Sequence, residues 1–449
     1  MPRAMAATIV DVKTAPRLRI GILSDIHLKD TVAVQKLERA LRVFRKGRVD
    51  GVLICGDLAD SGIVSQLEEL AGTWEKVFPG SKGIDGGYVE RLFHYGDHDN
   101  RGYLRKNDSA TKEPYSLSDA EYGENLIFKH PKDVWERVFG EPWTPIMHKR
   151  VKGYDFILAH FNPAGRNTTP GLKPFLEGLK LDASRPFFYS QHRVLRNTVC
   201  GSGVYGQDDG SVGCILSAYP NCCAFCGHSH QTAVREDAIW QGAFTAIQVP
   251  SLRYVTHEDG HQNKPNGGLA EQGMLLLVYD DRMVVQRIDF ANRRPLAEAW
   301  RIPLAGAERP FAHATRRRTA AVPQFEKDAR LGAWVEERQS KDGESKRALS
   351  IEFPVVNGLS GGIRAYDYEV TIDALCFGGD SQRSVKRVFS PGIQFAPACD
   401  AGNVRASFEL DEFKSWNALK SRSWGALHVA VRPREVFGGM GAAVEADVQ

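Results

Sequence analysis

Leu18-Arg-Ile-Gly-Ile-Leu-Ser-Asp-Ile-His27 is the stretch that decides the fold. Leu18, Ile20, Ile22 and Leu23 form a short apolar run suited to a strand buried on both faces, and the run stops on Asp25 and His27. In open sheets ligands gather just beyond the carboxyl ends of the strands, which is where this pair falls. An Asp-x-His by itself means little. The rest of the chain gives it weight.

Outward from His27 the same event recurs. A helical pattern places Val34, Leu37, Leu41 and Phe44 on one face and stops at Gly47. A second apolar run, Val52 to Cys55, ends on Gly56-Asp57-Leu-Ala-Asp60. A helix carrying Leu67, Leu70, Trp74 and Val77 leads to a third run, Leu92 to Tyr95, which ends on Gly96-Asp97-His98-Asp99. This alternation predicts a parallel sheet with right-handed crossovers. Further along, Tyr154 to Ala159 stops at His160, and a helix around Phe175 to Leu181 precedes the strand Pro186 to Ser190 with His192 just beyond. Cys222 to Cys226 then ends on Gly227-His228-Ser229-His230. Between Asn100 and Lys152 the chain is polar, with a short helix at Val134 to Phe139, and predicts an insertion that walls the strand ends. Met274 to Tyr279 and Met283 to Asp289 flank Asp280-Asp281, a hairpin expected to close a second sheet.

Composition sets the bounds. The 449 residues are 42% hydrophobic and 25% charged, with net charge +3, which argues against a polyanion-binding surface as the main role. No apolar run approaches the roughly 20 residues that span a bilayer, and Met1 to Pro16 lacks the apolar centre of a secretory signal. Cys222, Cys223 and Cys226 crowd one strand and cannot all pair, so reduced thiols and a cytoplasmic location are expected. Cys223-Ala-Phe-Cys226 has no second Cys pair to complete a zinc site and reads as core. We expect an α/β domain over residues 1–302 and a linker over 303–323 that includes Arg316-Arg317-Arg318. Residues 324–449 read as a small all-β sandwich domain. There Tyr366, Tyr368, Val370 and Ile372 alternate with polar residues, as do Val404, Ala406, Phe408 and Leu410, and Leu427 to Val431 adds a strand. That last region shows no chemistry of its own.

The strand-end groups are Asp25, His27, Asp57, Asp97, His98, His192, His228 and His230. Mixed imidazole and carboxylate donors suit Zn, Fe, Mn or Ni and not Ca, which takes only oxygen. They are too many for one ion. They suit two ions roughly 3.5 Å apart sharing a carboxylate, an arrangement that clamps the attacking and leaving oxygens of a phosphoryl transfer.

As a set and in this order, Asp25-Ile-His27, Gly56-Asp57-Leu-Ala-Asp60, Gly96-Asp97-His98-Asp99, a later strand-end His and Gly227-His228-Ser-His230 resemble the calcineurin-like metallophosphoesterase superfamily over about residues 17–300. The resemblance implies a β-sandwich flanked by helices, with two divalent or mixed-valence transition-metal ions (Mn, Fe, Zn or Ni) above the strand ends. It implies that one ion is held by Asp25, His27, Asp57 and His230, and the other by Asp57 as bridge, Asp97, the strand-end histidine and His228. His98 matches the family's non-ligand histidine, which donates to the phosphate or protonates the leaving group, and Asp99 would orient it. The strand-end histidine is His160 or His192, and the helix before the later strand favours His192. The implied activity is hydrolysis of a phosphomonoester or phosphodiester by metal-activated hydroxide. Nucleic acid enters only as a substrate, and the oligomeric state is left open. One position departs from the pattern: Asp97 stands where the family has Asn and brings a full negative charge. With it comes the alternative of a metal-containing binding protein with little or no turnover.

Overall fold

β1 (Leu18–Leu23) is buried on both faces, as its apolar run requires. It lies parallel to β2 (Gly51–Cys55), and β2 lies parallel to β3 (Glu90–His94). The crossovers are α1 (Thr31–Lys46) and α2 (Val64–Val77). Asp30 starts α1 by accepting the Ala33 N–H at 2.9 Å, and Arg45 and Lys46 close it at the carbonyl end of the helix dipole. Its stripe of Leu37, Leu41 and Phe44 is buried, each side chain contributing about 1.5–3 kcal/mol on leaving water.

The computed structural model describes residues 15–100, 125–162, 168–200, 205–257, 270–304, 308–339, 345–358, 362–376, 381–390, 392–393, 402–410 and 424–448. Most of the amino-terminal stretch, and residues 101–124 of the expected insertion, lie outside the described residues. The chain divides into two compact units, residues 1–313 and 314–449.

In the first unit α3 (Pro131–Phe139) and the short hairpin of β4 (Ile146–Val151) and β5 (Tyr154–Ala159) follow β3. Next come α4 (Leu172–Gly178), β6 (Phe187–Ser190), α5 (Ser211–Leu216), β7 (Cys222–Cys226), β8 (Ile239–Gln241) and β9 (Thr245–Gln248). These strands form a second sheet in the order β4-β5-β6-β7-β9-β8, parallel from β5 through β9 with antiparallel strands at both edges. Side chains of both sheets share one core, in which Ile20 and Leu53 meet Phe156, Phe188, Phe225 and Ile247. The other face of the second sheet packs Tyr189, Ala224 and Cys226 with Leu172, Leu176, Val212 and Leu216 of α4 and α5. Cys223 and Cys226 therefore belong to different cores, and neither forms a disulfide.

The hairpin of β10 (Gln272–Val278) and β11 (Arg282–Asp289) corrects an expectation. It extends the first sheet, with β10 antiparallel to β1 and Leu18 opposite Val278, and does not close the second. All seven residues of β10 are buried, so it is an interior strand that needs a neighbour on each edge, and β1 offers one. β12 (Arg294–Pro295) and β13 (Trp300–Pro303) complete that sheet.

α6 (His313–Thr319) carries the three arginines where a linker was expected. The second unit holds two antiparallel sheets. One is β14 (Gly332–Gln339), β15 (Ser345–Pro354) and β18 (Asn403–Glu409); the other runs β17-β16-β19-β20 over Ser381–Phe389, Asp367–Cys376, Trp424–Arg434 and Val444–Val448. Leu349, Ile351 and Phe353 share a core with Tyr368, Val370, Val429 and Val431. On the outward face, Asp373 pairs with Arg383 at 2.7 Å and Asp367 lies between Arg387 and Arg434. Among the described residues no helix is long and apolar enough to cross a membrane.

Candidate metal centre

The strand ends turn sharply to aim their side chains at one rim. Asp25, His27, Asp57, His228 and His230 have φ of 52, 47, 52, 70 and 52°, in the left-handed region that costs a non-glycine residue about 1–3 kcal/mol. Such turns persist where the surroundings demand them. Two glycines make the approach possible: a Cβ on Gly56 would lie 2.6 Å from His192 Nδ1, and one on Gly96 would lie 2.2 Å from Asp57 Oδ1.

The seven residues named as ligands come together as two overlapping groups. Asp25, His27, Asp57 and His230 form one, Asp57, Asp97, His192 and His228 the other, and within each the donor atoms lie within 4.8 Å of one another. Asp57 belongs to both. In the first group His230 Nε2 is 3.1 Å from Asp25 Oδ1, and His27 Nε2 is 3.6 Å from Asp57 Oδ2. In the second His192 Nε2 lies 3.2 Å from Asp57 Oδ1 and 3.1 Å from Asp97 Oδ1, with His228 Nδ1 3.4 Å from the same Asp97 oxygen.

The far side of each ring shows what the near side is for. His27 Nδ1 meets Asp60 Oδ1 at 3.2 Å, His230 Nδ1 the Tyr254 carbonyl at 3.1 Å, His192 Nδ1 the Cys55 carbonyl at 2.7 Å, and His228 Nε2 the Tyr205 carbonyl at 2.9 Å. Each acceptor assigns the proton to the far nitrogen and turns a lone pair inward. Inward lone pairs then oppose one another: His27 Nε2 and His230 Nε2 are 3.1 Å apart, and buried His192 Nε2 and Asp97 Oδ1 have no hydrogen-bond partner among the described residues. Lone pairs gathered around three buried carboxylates fit cations, and the donor set fits transition metals.

The same crowding governs protonation. Burial opposes charge on His192, but Asp57, Asp97 and Asp25 overrule it and raise its pKa. Burial likewise works against ionised Asp97, yet His228 and His192 hold it well below the usual carboxylate range.

His98 Nδ1 donates to the Asp60 carbonyl at 2.8 Å, and its backbone N–H donates to Asp57 Oδ1 at 2.9 Å. Its ring stands edge-on to His27 at 4.4 Å. Asp99 does not orient it, contrary to expectation. The Asp99 carboxylate instead accepts the N–H groups of Gly96 (2.6 Å), Ala59 (2.8 Å) and Leu58 (3.3 Å), stapling the β2 and β3 turns together. Three amide donors outcompete one imidazole for a carboxylate with no access to water. Burial and neighbouring Asp57 push its pKa up to about 8, against the pull of those donors.

His160 lies apart. The Tyr95 N–H donates to its Nδ1 at 3.0 Å, and its ring packs on those of Tyr95, Trp135 and Trp143. Its one inward lone pair is thus used, and burial lowers its pKa well below the imidazole norm.

Three site features were not read from the sequence: the double support from Asp60, the aromatic wall of Tyr205 and Tyr254 beside His230, and Arg193, whose Nη2 is 3.3 Å from Asp97 Oδ2. Asp60 was visible within its motif. Arg193, next to His192, carried no pattern.

No curated protein matches the chain. Among solved structures it is similar to a dimetal phosphatase from Danio rerio (12% identity, 65% of this chain and 100% of that one, TM-score 0.38). It is also similar to the purple acid phosphatase PPD1 of yellow lupin, Lupinus luteus (13%, 64% and 53%, 0.42), and to GAP50 of Plasmodium, described as the anchor in the inner membrane complex (12%, 65% and 90%, 0.40). Likenesses this distant leave the chemistry to be read from the site itself. The model of the calcineurin-like phosphoesterase family matches residues 18–232, the span that carries every turn described above, and over that span the chain is similar to the family.

Proposed function

We propose that the chain hydrolyses a phosphomonoester or phosphodiester at a dinuclear transition-metal site. The observation that carries this is the pair of four-residue groups joined through Asp57, with lone pairs turned inward from every imidazole. In this reading Asp25, His27, Asp57 and His230 hold one ion, and Asp57, Asp97, His192 and His228 the other. Two such cations supply Lewis acidity and lower the pKa of the attacking water. The remaining work falls to the chain. Asp60 holds the His27 ring by its carboxylate and His98 by its carbonyl. With Nδ1 donating to that carbonyl, His98 would need a second proton, on Nε2, to donate to a phosphoryl oxygen or protonate the leaving group. Asp99 keeps the two turns in register. Residues 1–302 would be the catalytic domain, 303–323 a connection, and 324–449 a β-sandwich of separate role.

The test is metal analysis of protein never exposed to chelator, with turnover of aryl phosphate monoesters and diesters. Near two transition-metal ions per chain, and turnover lost to chelator and restored by Mn, Fe, Zn or Ni, is expected. One ion or none without turnover would sink the proposal. Two ions with no turnover of any ester would make this a metal-containing binding protein, the alternative that Asp97 raises.

A further inference from the structure

Of the three buried carboxylates in the site, only Asp97 has a guanidinium within 4.0 Å among the described residues. Its two oxygens face opposite ways. Oδ1 looks inward to His192 and His228, and Oδ2 takes Arg193 Nη2 at 3.3 Å. Arg193 is held in place in turn. Its Nη1 is 3.4 Å from the Tyr205 carbonyl, and its guanidinium carbon lies 5.5 Å from the centre of the Phe161 ring. Its Nε is buried without a partner among the described residues, while the side chain keeps 19% of its surface exposed. A guanidinium with a donor unused, beside a site for anions, is a phosphate contact in waiting.

We infer that Arg193 is a positioning and specificity residue: it fixes Asp97 with Oδ1 inward, offsets the charge of the third carboxylate, and favours dianionic phosphate, hence monoesters, over monoanionic diesters. This rests on the dinuclear reading. With two divalent ions, Asp25, Asp57 and Asp97 leave a formal +1, and Arg193 restores +2. A dianion feels that added charge about twice as strongly as a monoanion.

The experiment is a double-mutant cycle on metal-loaded protein, comparing wild type, Arg193→Met, Asp97→Asn and the double variant. Binding of inorganic phosphate and of dimethyl phosphate is measured by calorimetry, and metal content by elemental analysis. Arg193→Met should keep both ions yet weaken phosphate about 10-fold or more, and dimethyl phosphate less. Asp97→Asn should tighten phosphate and shed metal faster to chelator, and the double variant should return phosphate affinity toward wild type. Arg193→Lys should recover part of the loss. Equal loss for both anions, a double variant that binds phosphate no more tightly than Arg193→Met, or metal lost along with Arg193 would each overturn this role. Wild-type protein without metal would overturn the reading of the site itself.

Discussion

The two halves of the candidate metal centre use the same donor types but stand on different supports. Around Asp25, His27 and His230 the outer partners are the Asp60 carboxylate and the Tyr254 carbonyl. Around Asp97, His192 and His228 they are two carbonyls and a guanidinium. The first half is thus backed by a carboxylate, which Lys29 also engages at 3.3 Å, and the second by a guanidinium. Outer partners set the basicity of a ligand, so the first half should hold its ion more tightly and the second should release its ion first. Ligand identity alone would make the halves alike.

The largest expected effect removes what the halves share. Asp57→Asn should empty both, with metal content falling toward zero and turnover by about 10³-fold. Retention of one ion would show that Asp57 serves a single half. Next comes His192→Ala, which should cost one ion and about 100-fold or more in rate, while His160→Ala should keep both ions and lose thermal stability from its aromatic nest. The opposite outcome would put the wrong histidine in the second half. His98→Ala belongs to neither half: both ions should stay and the rate fall on the order of 100-fold, so a loss of metal would make it a ligand. The smallest effect sharpens the comparison. Asp60→Asn should weaken the first ion about 10-fold and leave the second unchanged, read by stepwise chelation. If the second ion loosened instead, the support argument would be wrong.

Much of this was legible because each parallel strand is a compact apolar run and each run ends on chemistry. Leu18 to Leu23 and Val52 to Cys55 declare both strand and site, since β1 and β2 are buried on both faces. The hairpin of β10 and β11 announced its own pairing, but nothing in Met274 to Val278 says which sheet receives it. β17 escaped notice because Gln382, Arg383, Ser384, Lys386 and Arg387 put polar groups on both faces of an edge strand. Asp99 was misassigned for a related reason. Adjacency to His98 is visible in sequence, whereas the competing amides of Leu58 and Ala59 arrive from another strand.

The pairing of β1 with β10 bears on how the chain is made. Leu18 lies opposite Val278, 260 residues later, so the central strand of the first sheet is synthesised well before one of its neighbours. At roughly 5–20 residues per second, that edge waits about ten seconds to a minute on the ribosome. Until then the main-chain groups of Leu18 to Leu23 have a partner on one side only, and a bare apolar edge invites pairing with other chains. Fragments that stop before Gln272 should therefore aggregate where residues 1–302 do not, a difference light scattering would detect. Release of the hairpin, and not completion of the metal ligands at His230, is the step that closes the sheet.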